Sequence, residues 1–123
     1  MGERKSRTAK PSLRPRLRVM LGNEIALGPG RVDLLELIHQ TGSLRAAAER
    51  MRISYMRACQ LIKYTNRCFN APVVEVVRGG KHGGGAKLTE TGRRTLAAYR
   101  LMEKKCHQAM KPSWSGLRKL LTK

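Results

Sequence analysis

Between Tyr55 and Lys63 the chain carries Tyr55, Met56, Arg57, Cys59, Gln60 and Lys63. These side chains can stack, donate hydrogen bonds or place positive charge, a set suited to the base edges of a DNA major groove. Arg57 is the expected direct reader. Ser54, just ahead of them, has the hydroxyl to cap a helix and to touch a phosphate. A second basic set, Arg78, Lys81, His82 and Lys87, is embedded in the glycine-filled stretch Gly79 to Gly85. Glycines let a backbone approach phosphates without a Cβ clash, so this set is expected on the DNA backbone or in an adjacent minor groove.

Other chemistries are poorly served. Lys81 follows Gly80, but His82 stands where a phosphate-binding P-loop needs Ser or Thr, and the glycine required five residues before Gly80 is missing. The 8 acidic residues are spread thinly and form no pair for acid and base catalysis. Cys59, Cys68 and Cys106 are odd in number and lack CxxC spacing, and His39, His82 and His107 are scattered, so neither a metal nor any other cofactor is expected. An enzyme is not expected.

The elements that must hold the two basic sets can be read from local signals. Ser43 to Arg52 reads as a short helix in which Ala46, Ala47 and Ala48 allow another helix to cross closely. Ser54 then caps a longer helix, Tyr55 to Phe69, whose Ala58, Leu61, Ile62 and Thr65 recur at helical spacing and turn inward. Asn70, Ala71 and Pro72 stop that helix. Val73, Val74, Val76 and Val77 predict a strand, and Ala86, Lys87 and Leu88 its partner. Two helices joined by a tight turn and followed by a basic hairpin outline a winged helix-turn-helix.

On either side the signals are plainer. Residues 1–13 read as a basic flexible arm. Arg14 to Leu21 alternates as a half-buried strand, turning at Gly22 and Asn23 into Glu24 to Leu27. A helix follows over about Arg31 to Gln40, with Val32, Leu34, Leu35 and Ile38 inward. After the hairpin, Thr89 is placed to cap a helix to about Met110, which Pro112 ends before a basic tail, 111–123. Its apolar positions Leu96, Tyr99, Met102, Cys106 and Met110 form a stripe longer than one small domain readily covers, so a homodimer through this helix is expected.

Composition sets the class of partner. The 123 residues hold 26 Lys and Arg against 8 Asp and Glu, a formal charge of +18. Such a field attracts polyanions, double-stranded DNA first among them. No apolar run approaches the roughly 20 residues of a membrane span, and no secretory leader is evident, so a cytoplasmic, nucleoid-associated location is expected.

The order GSLRAAAERMRISYMRACQLI, then VVRGGKHGGGAKLTETG, resembles the N-terminal DNA-binding domain of the ModE family of molybdate-responsive regulators. More distantly, the GS-x-x-AAA helix and the LTE-x-G that opens the last helix resemble the head of LysR-type regulators. The resemblance spans roughly Arg14 to Met110. It implies a winged helix-turn-helix that is mainly α with a small antiparallel sheet and a long C-terminal dimerisation helix. The family's oxyanion-binding region lies C-terminal to that domain, and the sequence stops at Lys123, so no direct oxyanion ligand is expected. The function read from the sequence is sequence-specific duplex binding in transcriptional regulation. A non-specific architectural DNA binder, and a winged module docking RNA or protein, are the alternatives.

Overall fold

A computed structural model describes residues 9–77 and 85–121. Two strands, β1 (Val19–Leu21) and β2 (Glu24–Leu27), precede three helices, α1 (Pro29–Thr41), α2 (Leu44–Met51) and α3 (Tyr55–Arg67). A hairpin of β3 (Val74–Val77) and β4 (Gly85–Leu88) then leads into α4 (Glu90–Arg118). The fold is a winged helix-turn-helix, mainly α, with two antiparallel two-stranded sheets among the described residues, one for each strand pair expected from the sequence. The core gathers Leu27 from β2, Val32, Leu34, Leu35 and Ile38 from α1, Ala47 and Ala48 from α2, Ala58 and Ile62 from α3, and Val73, Leu88, Leu96 and Tyr99.

Local chemistry explains the boundaries. Pro29 opens α1, where its missing N–H costs nothing and its fixed φ suits the first turn. Gly42 closes α1 at φ 70°, donating its N–H to Ile38, and its carbonyl accepts from Ala86 of β4 at 3.1 Å. The expected strand from Arg14 pairs only over Val19–Leu21, with a register shift between Val19 and Met20. Upstream, Pro11, Leu13, Pro15 and Leu17 are half-buried while Ser12, Arg14, Arg16 and Arg18 are exposed. The period-two pattern was therefore real, but Pro11 and Pro15 cannot donate to a ladder and these residues are extended without a strand partner.

Two expectations about α4 are corrected. The helix does not end near Met110: it continues through Pro112 to Arg118. Proline's φ is already helical, and the one hydrogen bond it forfeits would have gone to Gln108, which is exposed to water. Second, Leu96 and Tyr99 are not available as a surface for a partner. They are 8% and 0% exposed, packed in the chain's own core, and the Tyr99 hydroxyl donates to the Leu17 carbonyl at 2.7 Å. Burial, and then the neighbouring Glu103 carboxylate, raise that phenol above its ordinary 10.0. Arg100, one residue on, reaches Glu36 at 2.8 Å, Glu103 at 2.9 Å and Asp33 at 3.4 Å, tying α4 to α1. Those carboxylates hold its guanidinium in the charged form.

The start of α4 is seated as tightly. Thr89 accepts from the Gly92 N–H at 2.9 Å and donates to the Pro72 carbonyl at 2.6 Å. A Cβ on Gly92 would stand 2.0 Å from the Val73 carbonyl oxygen, so only glycine lets the helix lie this close to the hairpin.

Candidate nucleic-acid interface

The second helix of the pair is held so that one side must face solvent. Ser43 caps α2 by accepting from the Ala46 N–H at 3.0 Å, and Ser54 caps α3 from the Arg57 N–H at 2.9 Å. Between the helices Arg52 takes φ 60°, the only positive value outside glycine among the described residues. Ile53 donates back to Ala48 at 3.1 Å, closing the turn. Ala58, Ile62 and Thr65 are buried, and Thr65 disposes of its hydroxyl on the Leu61 carbonyl at 2.7 Å.

On the outer side Met56, Gln60, Lys63 and Arg67 recur at intervals of four, three and four residues and form one exposed row. Met56 is 68% exposed. Arg57 and Tyr64 stand on the neighbouring flank, both exposed, and Tyr55 lies at the start of the helix. Cys59 departs from the expectation: it is half-buried and packs against the core, because its position borders the buried arc. All three cysteines are free thiols.

Sequence reasoning left three cationic or aromatic neighbours, Arg45, Tyr64 and Arg67, out of this set. The Arg45 guanidinium from α2 lies 4.4 Å from the centre of the Tyr55 ring, and Arg67 lies 4.9 Å from that of Tyr64. Each pair keeps an aromatic ring and a fixed charge together on the exposed surface. The helical spacing of Tyr64 and Arg67 from Gln60 could have found two of them. The contact of Arg45 with Tyr55 depends on how two helices cross and has no local signal.

The hairpin is bolted to the helix pair at its base. Asn66, near the end of α3, accepts from the Val73 and Val74 N–H groups at 2.7 and 3.3 Å and donates to the Val74 carbonyl at 3.3 Å. On the other strand a Cβ at Gly85 would meet the Gly42 carbonyl oxygen at 2.8 Å. Val74 pairs with Leu88 and Val77 with Gly85, and Lys87 is exposed. Arg78, Lys81 and His82 lie outside the described residues. Among the described residues, no His, Cys, Asp and Glu cluster could hold a metal, and no helix is long and apolar enough to cross a membrane.

No family profile matches the chain. Curated relatives do match. The molybdenum-pterin-binding protein MopB of Rhodobacter capsulatus is 44% identical over 77 residues, 63% of this chain and 28% of that protein. The molybdenum transport protein ModE of Azotobacter vinelandii is 42% identical over 78 residues, 63% of this chain and 29% of its own length. The transcriptional regulator ModE of Haemophilus influenzae is 36% identical over 88 residues, 72% of this chain and 34% of its own. Among solved structures, ArgP from Mycobacterium tuberculosis aligns with 70% of this chain and 31% of its own at 27% identity and a TM-score of 0.49. The chain spans about a third of the length of the curated relatives it matches. The chain is a winged helix-turn-helix protein similar in sequence to the ModE regulators.

Proposed function

We propose that this protein binds double-stranded DNA in a sequence-specific way and regulates transcription. The observation that carries the reading is the outer side of α3: an exposed row of Met56, Gln60, Lys63 and Arg67 on a helix capped and anchored from behind. Such a helix fits the major groove, its Gln, Lys and Arg offering donors to base edges. Arg57 and Tyr55 extend the contact on its flanks, Ser54 meets a phosphate, and Lys87 with Arg78, Lys81 and His82 places the wing on the backbone. Curated relatives named as transcriptional regulators support the same assignment. In this reading the protein is not an enzyme and acts in the cytoplasm at the nucleoid. The molybdenum in the relatives' names is said of those longer proteins.

Two copies bind together in this proposal, paired through the part of α4 that its own domain buries less completely, exposed Met102 with half-buried Cys106 and Met110. Each chain carries +18, but repulsion is screened beyond about 8 Å at physiological salt and the stripe itself is uncharged. The same charge would serve a sequence-blind duplex binder, the second reading.

Titration of a duplex selected from genomic fragments, repeated across salt concentrations, tests the class of partner. The expected log affinity falls linearly with log salt, by about 0.9 for each phosphate neutralised. A flat response would sink the DNA reading.

A further inference from the structure

The extended segment ahead of β1 is held along one edge only. Leu13, Pro15 and Leu17 are half-buried, and Arg14, Arg16 and Arg18 between them are exposed. In extended backbone the N–H and C=O of successive residues also point to opposite edges, so residues of one parity share an edge as well as a face. The odd edge is the one the chain covers. The tight turn at Gly22 and Asn23 makes Leu21 and Glu24 the hydrogen-bonded pair that closes the β1–β2 hairpin, so Leu21 and Val19 turn their backbone toward β2. Leu17 has the same parity, and its carbonyl accepts from the Tyr99 hydroxyl at 2.7 Å. Pro11 and Pro15, which lack an N–H, are odd too, and Pro15 shares a cleft with Lys104, His107 and Lys111 of α4. The even edge, Ser12, Arg14, Arg16 and Arg18, keeps a full set of donors and acceptors, and none of them enters a backbone hydrogen bond among the described residues.

We propose that this even edge receives an acidic peptide strand of another protein, which extends the β1 sheet by main-chain hydrogen bonds and sets carboxylates at alternate positions beside Arg14, Arg16 and Arg18. The three arginines stand about 6.6 Å apart on one outward face at a rise of about 3.3 Å per residue. None of them forms an ion pair among the described residues. Side chains of an adjacent strand recur at the same interval on the same face, so acidic residues two apart would meet the arginines one to one. Main-chain bonds hold such a strand, and the charges select it. Past Arg18 the outward face continues as Met20, 49% exposed, which suits an apolar residue at that end of the strand.

The same features argue against two other occupants. A phosphodiester backbone offers acceptors to the arginines but no donor to the carbonyls of Arg14 and Arg16, whereas a peptide satisfies both. A second copy of this sequence lacks the pattern, because none of its 8 acidic residues stands two positions from another. The edge is also set in advance: two prolines and the Tyr99 bond fix the segment, so less conformational freedom is lost when a strand docks. The edge lies beside α4 and the basic row lies on α3, so the inference stands apart from the reading of α3 as a DNA reader.

Titration of a fluorescent peptide alternating glutamate with threonine, using the full chain and no DNA, tests the proposal. Binding should saturate, and amide hydrogen exchange should slow at Arg14, Arg16 and Arg18. A peptide of the same composition with its glutamates gathered at one end should bind about tenfold more weakly. Arg16→Gln removes a charge, and Arg16→Pro removes the charge together with one donor of the edge, so the proline variant should bind clearly less well than the glutamine variant, with circular dichroism confirming that both are folded. Equal binding of the two peptides, unchanged exchange at those amides, or folded proline and glutamine variants that bind alike would overturn the strand pairing and leave diffuse charge attraction. Absence of peptide binding, with the same amides slowed by duplex DNA, would overturn the peptide as occupant. None of these outcomes depends on whether α3 reads bases.

Discussion

The outer side of α3 and the outer half of α4 are both exposed, yet they differ in what surrounds them. The α3 row is polar and basic, and the helix beneath it is fixed at both ends, by the Ser54 cap and by Asn66 holding the hairpin. Apart from Met56, its exposure costs the fold little, because Gln, Lys and Arg are well hydrated in water. The outer half of α4 is apolar along one side and no contact from its own domain buries it as Leu96 and Tyr99 are buried. The proposed function gives the first surface to DNA and the second to another copy of the chain. Val73 joins the two regions: its N–H bonds Asn66 of α3, and its carbonyl accepts from Thr89 and abuts Gly92 of α4.

Breaking that joint should give the largest effect. Gly92→Ala puts a methyl carbon where the Val73 carbonyl oxygen already stands. Despite alanine's better helix propensity, we expect a loss of about 3 kcal/mol, at the upper end for overpacking, measured by urea unfolding. A neutral result would mean that α4 is free to slide and is no fixed lever between two domains. Asn66→Ala should cost less, about 1 to 2 kcal/mol, by leaving two backbone N–H groups of the hairpin without their acceptor. It sharpens the comparison, because duplex affinity should fall as the wing loses its anchor while sedimentation still reports pairs. Equal losses in both measurements would show that the two regions are not separable.

Much of this was legible beforehand, for identifiable reasons. The serine at 54, the alanines of α2 and the valine run of the hairpin are local signals, and the elements they predicted are present. The inward set of α1 was read from helical periodicity alone. What failed depended on tertiary context. Leu96 and Tyr99 look like surface stripe until α1 is packed against α4, and Pro112 looks like a terminator unless the helix end is in water. The bonds of Asn66 to residues on another element, and the contact of Arg45 with Tyr55, follow from how elements cross, which no spacing along the chain encodes. The wing's cations at 78, 81 and 82 are legible only as sequence.

The central claim is that α3 reads bases while the wing grips the backbone. It is tested most directly by measuring Arg57→Ala and Lys87→Ala on both a selected duplex and a random one at the same salt. The account predicts that Arg57→Ala costs about 1 to 3 kcal/mol on the selected site and little on random DNA, whereas Lys87→Ala weakens both alike. Equal losses on the two duplexes for Arg57→Ala, with wild type showing no preference between them, would contradict it and leave a basic protein that binds any DNA.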